Sequence, residues 1–372
     1  MVRITSWPVR AALPALGLAA FVSGCRDKHV TALNVVTPVT PVAVTGFVQT
    51  NLIADLATAG AVTVDPLLIN PWGIAFGASG ALWVSNNGTG TATVYNANGT
   101  PLGITVTIPP APGSPPGTKA LPTGVVFNPA ATGFVIPNFG PAAFMFATEN
   151  GTIAAWNPNT GTTAQTVVDH SALFAVYKAI TIASEGTARR LYATNFHGNA
   201  VDEFDSTFTL VRSFTDSTAP AGFAPFGIAN IGNQLYVSYA KQLPPSNIVD
   251  QPGVGNGFVD VFNPNGTLAR RFITGGRLNS PWAIVQGTPG FGPFGGAIIV
   301  GNFGDGTIGA YDAATGALID VVRNTSGNQI VIPGLWGLAF GPTPTTTTLF
   351  FASGPASETH GLVGTLTPAT SP

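Results

Sequence analysis

The sequence predicts an all-β fold, a six-bladed β-propeller whose last blade is closed by an N-terminal strand. Three observations carry this. A motif of short apolar runs recurs along 372 residues. The runs are too short, and too rich in β-branched residues, Gly and Pro, to read as helices. A strand-like segment precedes the first repeat, and the last repeat lacks a strand of its own.

The repeat is clearest in Asn70 to Asn98, NPWGIAFGASGALWVSNNGTGTATVYNAN. Its first anchor, PWGIAF from Pro71, returns as Pro122 to Phe127, Tyr177 to Ile182, Pro225 to Ala229, Pro281 to Val285 and Leu335 to Phe340. Its second anchor, Leu82 to Asn86, returns at Met145 to Glu149, Leu191 to Asn195, Leu235 to Tyr239, Ile298 to Asn302 and Leu349 to Ser353. A third run ends near Tyr95, Trp156, Phe204, Phe262, Tyr311 and Leu366, and Asn-X-Gly turns close several units. About six units of roughly 50 residues point to radial packing of four-stranded sheets.

Fourth strands are legible at Ile104 to Ile108, Thr209 to Phe214, Leu268 to Phe272 and Leu318 to Val322. The last unit ends at Thr367 without one. Phe47 to Leu56 therefore supplies it, which ties the chain ends together and removes two open edges. Three loops stand out from the repeat: 110–120, 241–257 and 287–296. Ser171 to Tyr177 has room for one helical turn.

The domain plan is a leader over 1–24, a flexible linker over 25–46, the propeller over 47–367 and a tail over 368–372. The leader carries Arg3 and Arg10, an apolar run from Ala11 to Val22, and small residues before Cys25. That is the pattern of a secretory signal. Val22-Ser23-Gly24-Cys25 resembles the bacterial lipobox. The resemblance implies lipidation at Cys25, and Arg26 after it implies the outer membrane. A lipid would tether the domain without spanning the bilayer. Pro and Thr in the linker favour an extended spacer.

Composition narrows the function. Only 8% of residues are charged, against about 25% in ordinary soluble domains. The formal net charge is -2 and no basic block exists, so nucleic-acid binding has no electrostatic footprint. A single Cys leaves no disulfide framework and no CxxC site. There is no GxSxG elbow, Walker loop or GxGxxG opening a helix.

In an up-and-down blade the start of the first strand and the end of the second share one face around the central channel. That places Trp72, Thr123, Lys178, Phe226, Trp282 and Trp336 at one mouth. Asn86, Glu149, Asn195, Tyr239, Asn302 and Ser353 join them, with Asn87, His197, Lys241 and Asp305 on the rim. The candidate ligand-binding set is Asn86, Glu149, Lys178, Asn195, His197, Tyr239 and Asn302. Glu149, Asn195 and Asn302 offer oxygen ligands that suit Ca²⁺, while Asn also caps strand ends. His197 forms a candidate acid–base pair with Glu149 or Glu185. Lys178 is expected to pair with Glu149 or meet an anionic ligand, and the tryptophans to pack between blades.

The anchors NPWGIAF…LWVSNNGTGTATVYN and SPWAIV…IIVGNFGDGTIGAYD resemble NHL-type six-bladed propellers. They are most similar to an uncharacterised family of exported bacterial propellers, some with a C-terminal PEP-CTERM sorting tail. A looser similarity to gluconolactonase-like propellers implies a divalent cation at Glu149, Asn195 and Asn302. Virginiamycin-lyase-like propellers are a further cousin. Two functions follow as expectations. One is a lipid-anchored monomeric domain that binds a cell-envelope protein or glycan without catalysis. The other is a metal-dependent, lactonase-like hydrolase at the channel mouth.

Overall fold

A computed structural model describes residues 44–343 and 345–370. The expected leader, Cys25 and nearly all of the linker lie outside the described residues.

Among the described residues, six sheets of four or five strands form the blades, and a two-stranded pair, Val135–Ile136 with Gly140–Pro141, stands beside them. Blade 1 is Pro71–Phe76, Leu82–Asn86, Thr91–Tyr95 and Pro101–Thr107. Blades 2 to 5 begin with Pro122–Phe127, Tyr177–Glu185, Phe223–Ile231 and Pro281–Gln286, and each carries three further antiparallel strands. Blade 6 begins with Leu335–Phe340. Each first strand touches the next, and Leu335–Phe340 touches Pro71–Phe76, so the ring closes.

Closure is made by the N-terminal strand, as the sequence predicts. Val44–Ala54 pairs antiparallel with Leu362–Thr370, and Thr63–Val64 adds a short parallel fifth strand. The ladder continues to Val44 opposite Thr370, past the expected Phe47 and Thr367, while the N-terminal strand ends at Ala54, short of the expected Leu56. The blade 5 loop 287–296 covers this strand. Its Phe291 and Phe294 are buried against the Phe47 ring at 4.7 and 5.6 Å between centroids. That loop therefore locks the ring, burying apolar area that both chain ends need. His360 and Asp55 add a polar latch, with Nδ1 and Oδ2 2.7 Å apart.

The first strands set the channel. In every blade this strand carries one extra residue against its partner near the mouth. Such bulges re-aim a side chain, here Trp72, Thr123, Lys178, Phe226, Trp282 and Trp336. The next ring is small: Gly73, Gly124, Ala179, Gly227, Ala283 and Gly337. A Cβ on Gly227 would lie 1.8 Å from the Trp282 carbonyl oxygen, and one on Gly337 2.5 Å from that of Trp72. Strands can meet this closely only without side chains between them. The third ring is aliphatic: Ile74, Val125, Ile180, Ile228, Ile284 and Leu338. It encloses a cavity of about 100 Å³ and opens to a vestibule of about 500 Å³ on the far face.

Candidate functional site

The near mouth is closed by aromatic rings. Trp72 stacks on Trp336 with centroids 3.4 Å apart, and Trp282 meets both edge-on at 6.1 and 5.8 Å. Phe303 stacks on the other face of Trp336 at 3.9 Å. Such pairs are worth about 0.5–1.5 kcal/mol each beyond their burial. The tryptophans are channel packing, as expected.

Lys178 stands in this plug, 2% exposed. A buried ammonium needs a partner, and Glu149 supplies it at 2.5 Å. The cation also lies over the rings of Trp72 and Phe196, at 5.2 and 5.7 Å. Glu149 Oε2 accepts from Asn87 Nδ2 at 3.0 Å. Asn70 Nδ2 donates to Asn87 Oδ1 and to Glu358 Oε2, both at 3.4 Å, while its Oδ1 accepts from Trp336 Nε1. One polar chain thus runs from blade 6 through blades 1 and 2 to blade 3.

Glu358 and Asp250 complete the mouth, and the repeat pattern names neither. Glu358 lies on a single turn, Pro355–Glu358, in which Ala356, Ser357 and Glu358 all have positive φ. Left-handed backbone costs about 1–2 kcal/mol per non-Gly residue. Burial pushes the Glu358 carboxyl up to about 7, and repulsion from Glu149 and Asp250 adds to it. Asp250 comes from the 241–257 insertion, which folds back through a Gln242–Asp250 bridge and the bond from Gln251 N to Lys241 O. Burial raises its carboxyl too, against the pull of the Ser280 hydroxyl and Lys178. The signal available in the sequence was charge itself, since a carboxylate in an insertion stands out in a chain this poor in charge.

The other candidates separate. His197 lines a pocket of about 380 Å³ with Glu149, Phe174 and Ile248. Asn195 Oδ1 accepts the backbone N–H of Val176 and Gly198, and its amide donates to Asp202. Asn302 Oδ1 accepts the N–H of Asn279. Asn86 is fully buried inside blade 1, donating to Thr91 and Thr93. Tyr239 stacks on Phe258, and its hydroxyl accepts from Asp216 N. The amides thus act as strand-end caps and the tyrosine as core. Glu149, Asn195 and Asn302 do not form a free oxygen set for Ca²⁺. Among the described residues no group of three or more His, Cys, Asp or Glu is arranged to hold a metal ion.

Comparison with known proteins places the chain. One uncharacterised protein of Acanthamoeba polyphaga mimivirus is 32% identical over 332 residues, covering 85% of this chain and 79% of its own. A second from the same virus is 34% identical over 318 residues, covering 81% of each. The chain belongs to the family of these viral proteins. No family model matches it. Among solved structures, a streptogramin B lyase aligns with a TM-score of 0.50 at 14% identity, over 88% of this chain and 99% of that one. A catalytically inactive virginiamycin B lyase from Staphylococcus aureus with quinupristin also gives 0.50, at 15% identity, over 87% and 99%. These likenesses show the six-bladed fold shared with NHL-like propellers. Among the described residues, no helix is long and apolar enough to cross a membrane.

Proposed function

We propose that the chain is an exported, lipid-anchored binding protein that holds a cell-envelope protein or glycan at the near mouth of its propeller. The observation that carries this reading is the composition of that mouth. In a chain with 8% charged residues, Glu149, Lys178, Asp250 and Glu358 gather above a closed aromatic plug. Leu173, Phe174, Ile248 and Val249 stand exposed around them, as the apolar part of a recognition surface would.

Photo-crosslinking tests the reading. A photoreactive residue at position 174 should capture an envelope component, and one at position 286, on the far mouth, should not. Equal capture at both positions, or none at 174, would overturn it. The lipobox-like run Val22-Ser23-Gly24-Cys25 supports the envelope placement, and Arg26 after it favours the outer membrane. Cys25→Ala should abolish incorporation of tritiated palmitate; persistent labelling would remove the anchor.

One observation favours the second reading, a hydrolase: Glu149 and His197 share a pocket. Lactone turnover that needs Ca²⁺ and vanishes in Glu149→Gln would support it. Absence of turnover with Ca²⁺ leaves the binding reading alone.

A further inference from the structure

Arg189, at the start of the second strand of blade 3, Ala188–Asn195, is half-buried and lacks a counter-charge. Its neighbours are matched. Arg190 and Arg212 share Glu185 and Glu203, and Arg271 pairs with Asp216 and Asp260. Arg189 Nη1 is buried without a hydrogen bond. Burial pushes the guanidinium down from its ordinary value, and no carboxylate opposes the shift. The group still keeps its charge at neutral pH and carries five donors. A buried polar group left open in this way calls for an explanation.

A second observation gives that charge a place to act. Arg189 lines a cavity of about 290 Å³ on the far face, where blades 2 and 3 meet. Blade 3 contributes Thr187, Arg190 and Ser206, and blade 2 contributes Thr132, Gly133 and Phe134. The blade 2 residues come from 128–143, a long connection between its first two strands; in blade 3 the same connection is only Gly186 and Thr187. The long connection is fastened to blade 3, with Phe134 N donating to Ser206 O at 2.7 Å. Phe134 is fully buried at φ 49, and the Arg189 guanidinium lies over its ring at 5.4 Å. The ring holds the cation in place without supplying a negative charge.

We infer that this cavity binds a tetrahedral oxyanion, the phosphate or sulfate group of a monoester, with Arg189 as its cation and the hydroxyls of Thr132, Thr187 and Ser206 as further donors. The site lies on the opposite face from the proposed recognition mouth and does not depend on that reading.

The chemistry selects this class. A planar guanidinium takes two oxygens of a phosphate or sulfate at once. Hydroxyls on residues from two blades suit the remaining oxygens, which a carboxylate ligand lacks. A metal ion or an amine would meet Arg189 as a like charge, and a neutral ligand would leave it uncompensated. The acids nearby are engaged elsewhere. Glu185 and Glu203 sit between Arg190 and Arg212, and Asp205 Oδ1 accepts from the backbone of Thr207 and Thr209.

Calorimetry on the full chain at pH 7.5 tests this with inorganic phosphate, sulfate, glucose 6-phosphate and glucose 6-sulfate. Glucose and acetate are the controls. At least one oxyanion probe should bind saturably and the controls should not. Which ester binds distinguishes a phosphate source from a sulfate source. Arg189→Gln should weaken binding at least about tenfold, and Arg189→Lys should also weaken it, because the fork is lost while the charge stays. Arg277→Gln, which removes an exposed arginine elsewhere, should leave binding unchanged. If Arg189→Gln does not fold, Thr187→Val combined with Ser206→Ala decides instead, and should weaken binding while keeping the parent's thermal midpoint. No saturable oxyanion binding, undiminished binding in the deciding variant, an equal loss in Arg277→Gln, or acetate bound as tightly as phosphate would overturn the inference.

Discussion

The two mouths of the channel are built from the same six strands and differ in almost every physical respect. The far mouth is lined by Ala75, Val126, Phe127, Thr181, Ala229, Val285 and Phe340 among others, with no charged side chain. Its only lining residue with positive φ is a glycine, Gly232. The near mouth gathers three carboxylates and a buried lysine, and its backbone is left-handed at Asn70, Phe174, Ser280, Ala356, Ser357 and Glu358. Regular repeat positions build the far mouth. The near one adds two departures from the repeat, Asp250 and Glu358, to the repeat positions Glu149 and Lys178. Left-handed backbone of this kind costs free energy that the rest of the fold must offset.

The largest expected effect comes from the ring that separates the mouths. Gly227→Ala would place a Cβ against the Trp282 carbonyl. Backbone cannot yield as a side chain tip can, so the adjacent blades must part. Overpacking of this kind costs about 3 kcal/mol or more. Urea unfolding should show that loss, and a change below about 1 kcal/mol would mean that the strands are not held this closely.

Next is the ion pair of the near mouth. Glu149→Ala leaves Lys178 charged, buried and unpaired. Losing one partner of a buried pair costs about 3–5 kcal/mol, and the partial exposure of Glu149 places this case at about 2–3 kcal/mol. The double change Glu149→Ala with Lys178→Met should recover most of it, because the uncompensated charge is gone. Thr181→Val on the far mouth should stay within about 0.5 kcal/mol. Equal losses at both mouths would erase the contrast.

How far the sequence carried these features follows the same division. The blade anchors, the channel rings and the borrowed strand were legible because the repeat imposes a register, and a residue's place follows from its offset. The pairing of Lys178 with Glu149 was legible for that reason. Asp250 and Glu358 were not, because loops without register can place a side chain anywhere on the face. The role of Phe291 and Phe294 was hidden likewise, since their partner Phe47 lies more than two hundred positions away. Asn86, Asn195 and Asn302 were placed on the correct end of their strands, yet offset alone does not reveal that their side chains bond the backbone or neighbouring threonines.

The pH dependence sharpens the comparison further. Glu358 holds its proton up to about pH 7 against an ordinary 4.5. The folded protein therefore binds more protons than the unfolded chain between those values, and stability falls as pH rises through the window. Asp260 and Glu203, buried in the blade interiors, are also pushed up to about 7 and act in the same direction. Thermal midpoints measured from pH 5 to pH 8 should fall. Glu358→Gln should remove part of that fall and leave the rest to the two interior acids. An unchanged slope in the variant would place Glu358 in a solvated setting.

The smallest effect concerns Phe174, 74% exposed and held at φ 57. A phenylalanine there has neither burial nor an easy backbone to justify it. Gly accepts the left-handed region without a Cβ penalty, though it loses more entropy on folding. Phe174→Gly should therefore leave stability unchanged or raise it by less than about 1 kcal/mol. If the near mouth is a recognition face, the same change should sharply reduce capture of a partner by a photoreactive residue at the adjacent position 248. Stability gained with binding lost is the pattern expected where a strained residue is kept for function. A loss of stability of 1 kcal/mol or more would instead show that the phenyl ring supports the fold, and the near mouth would lose its clearest sign of being built for a partner.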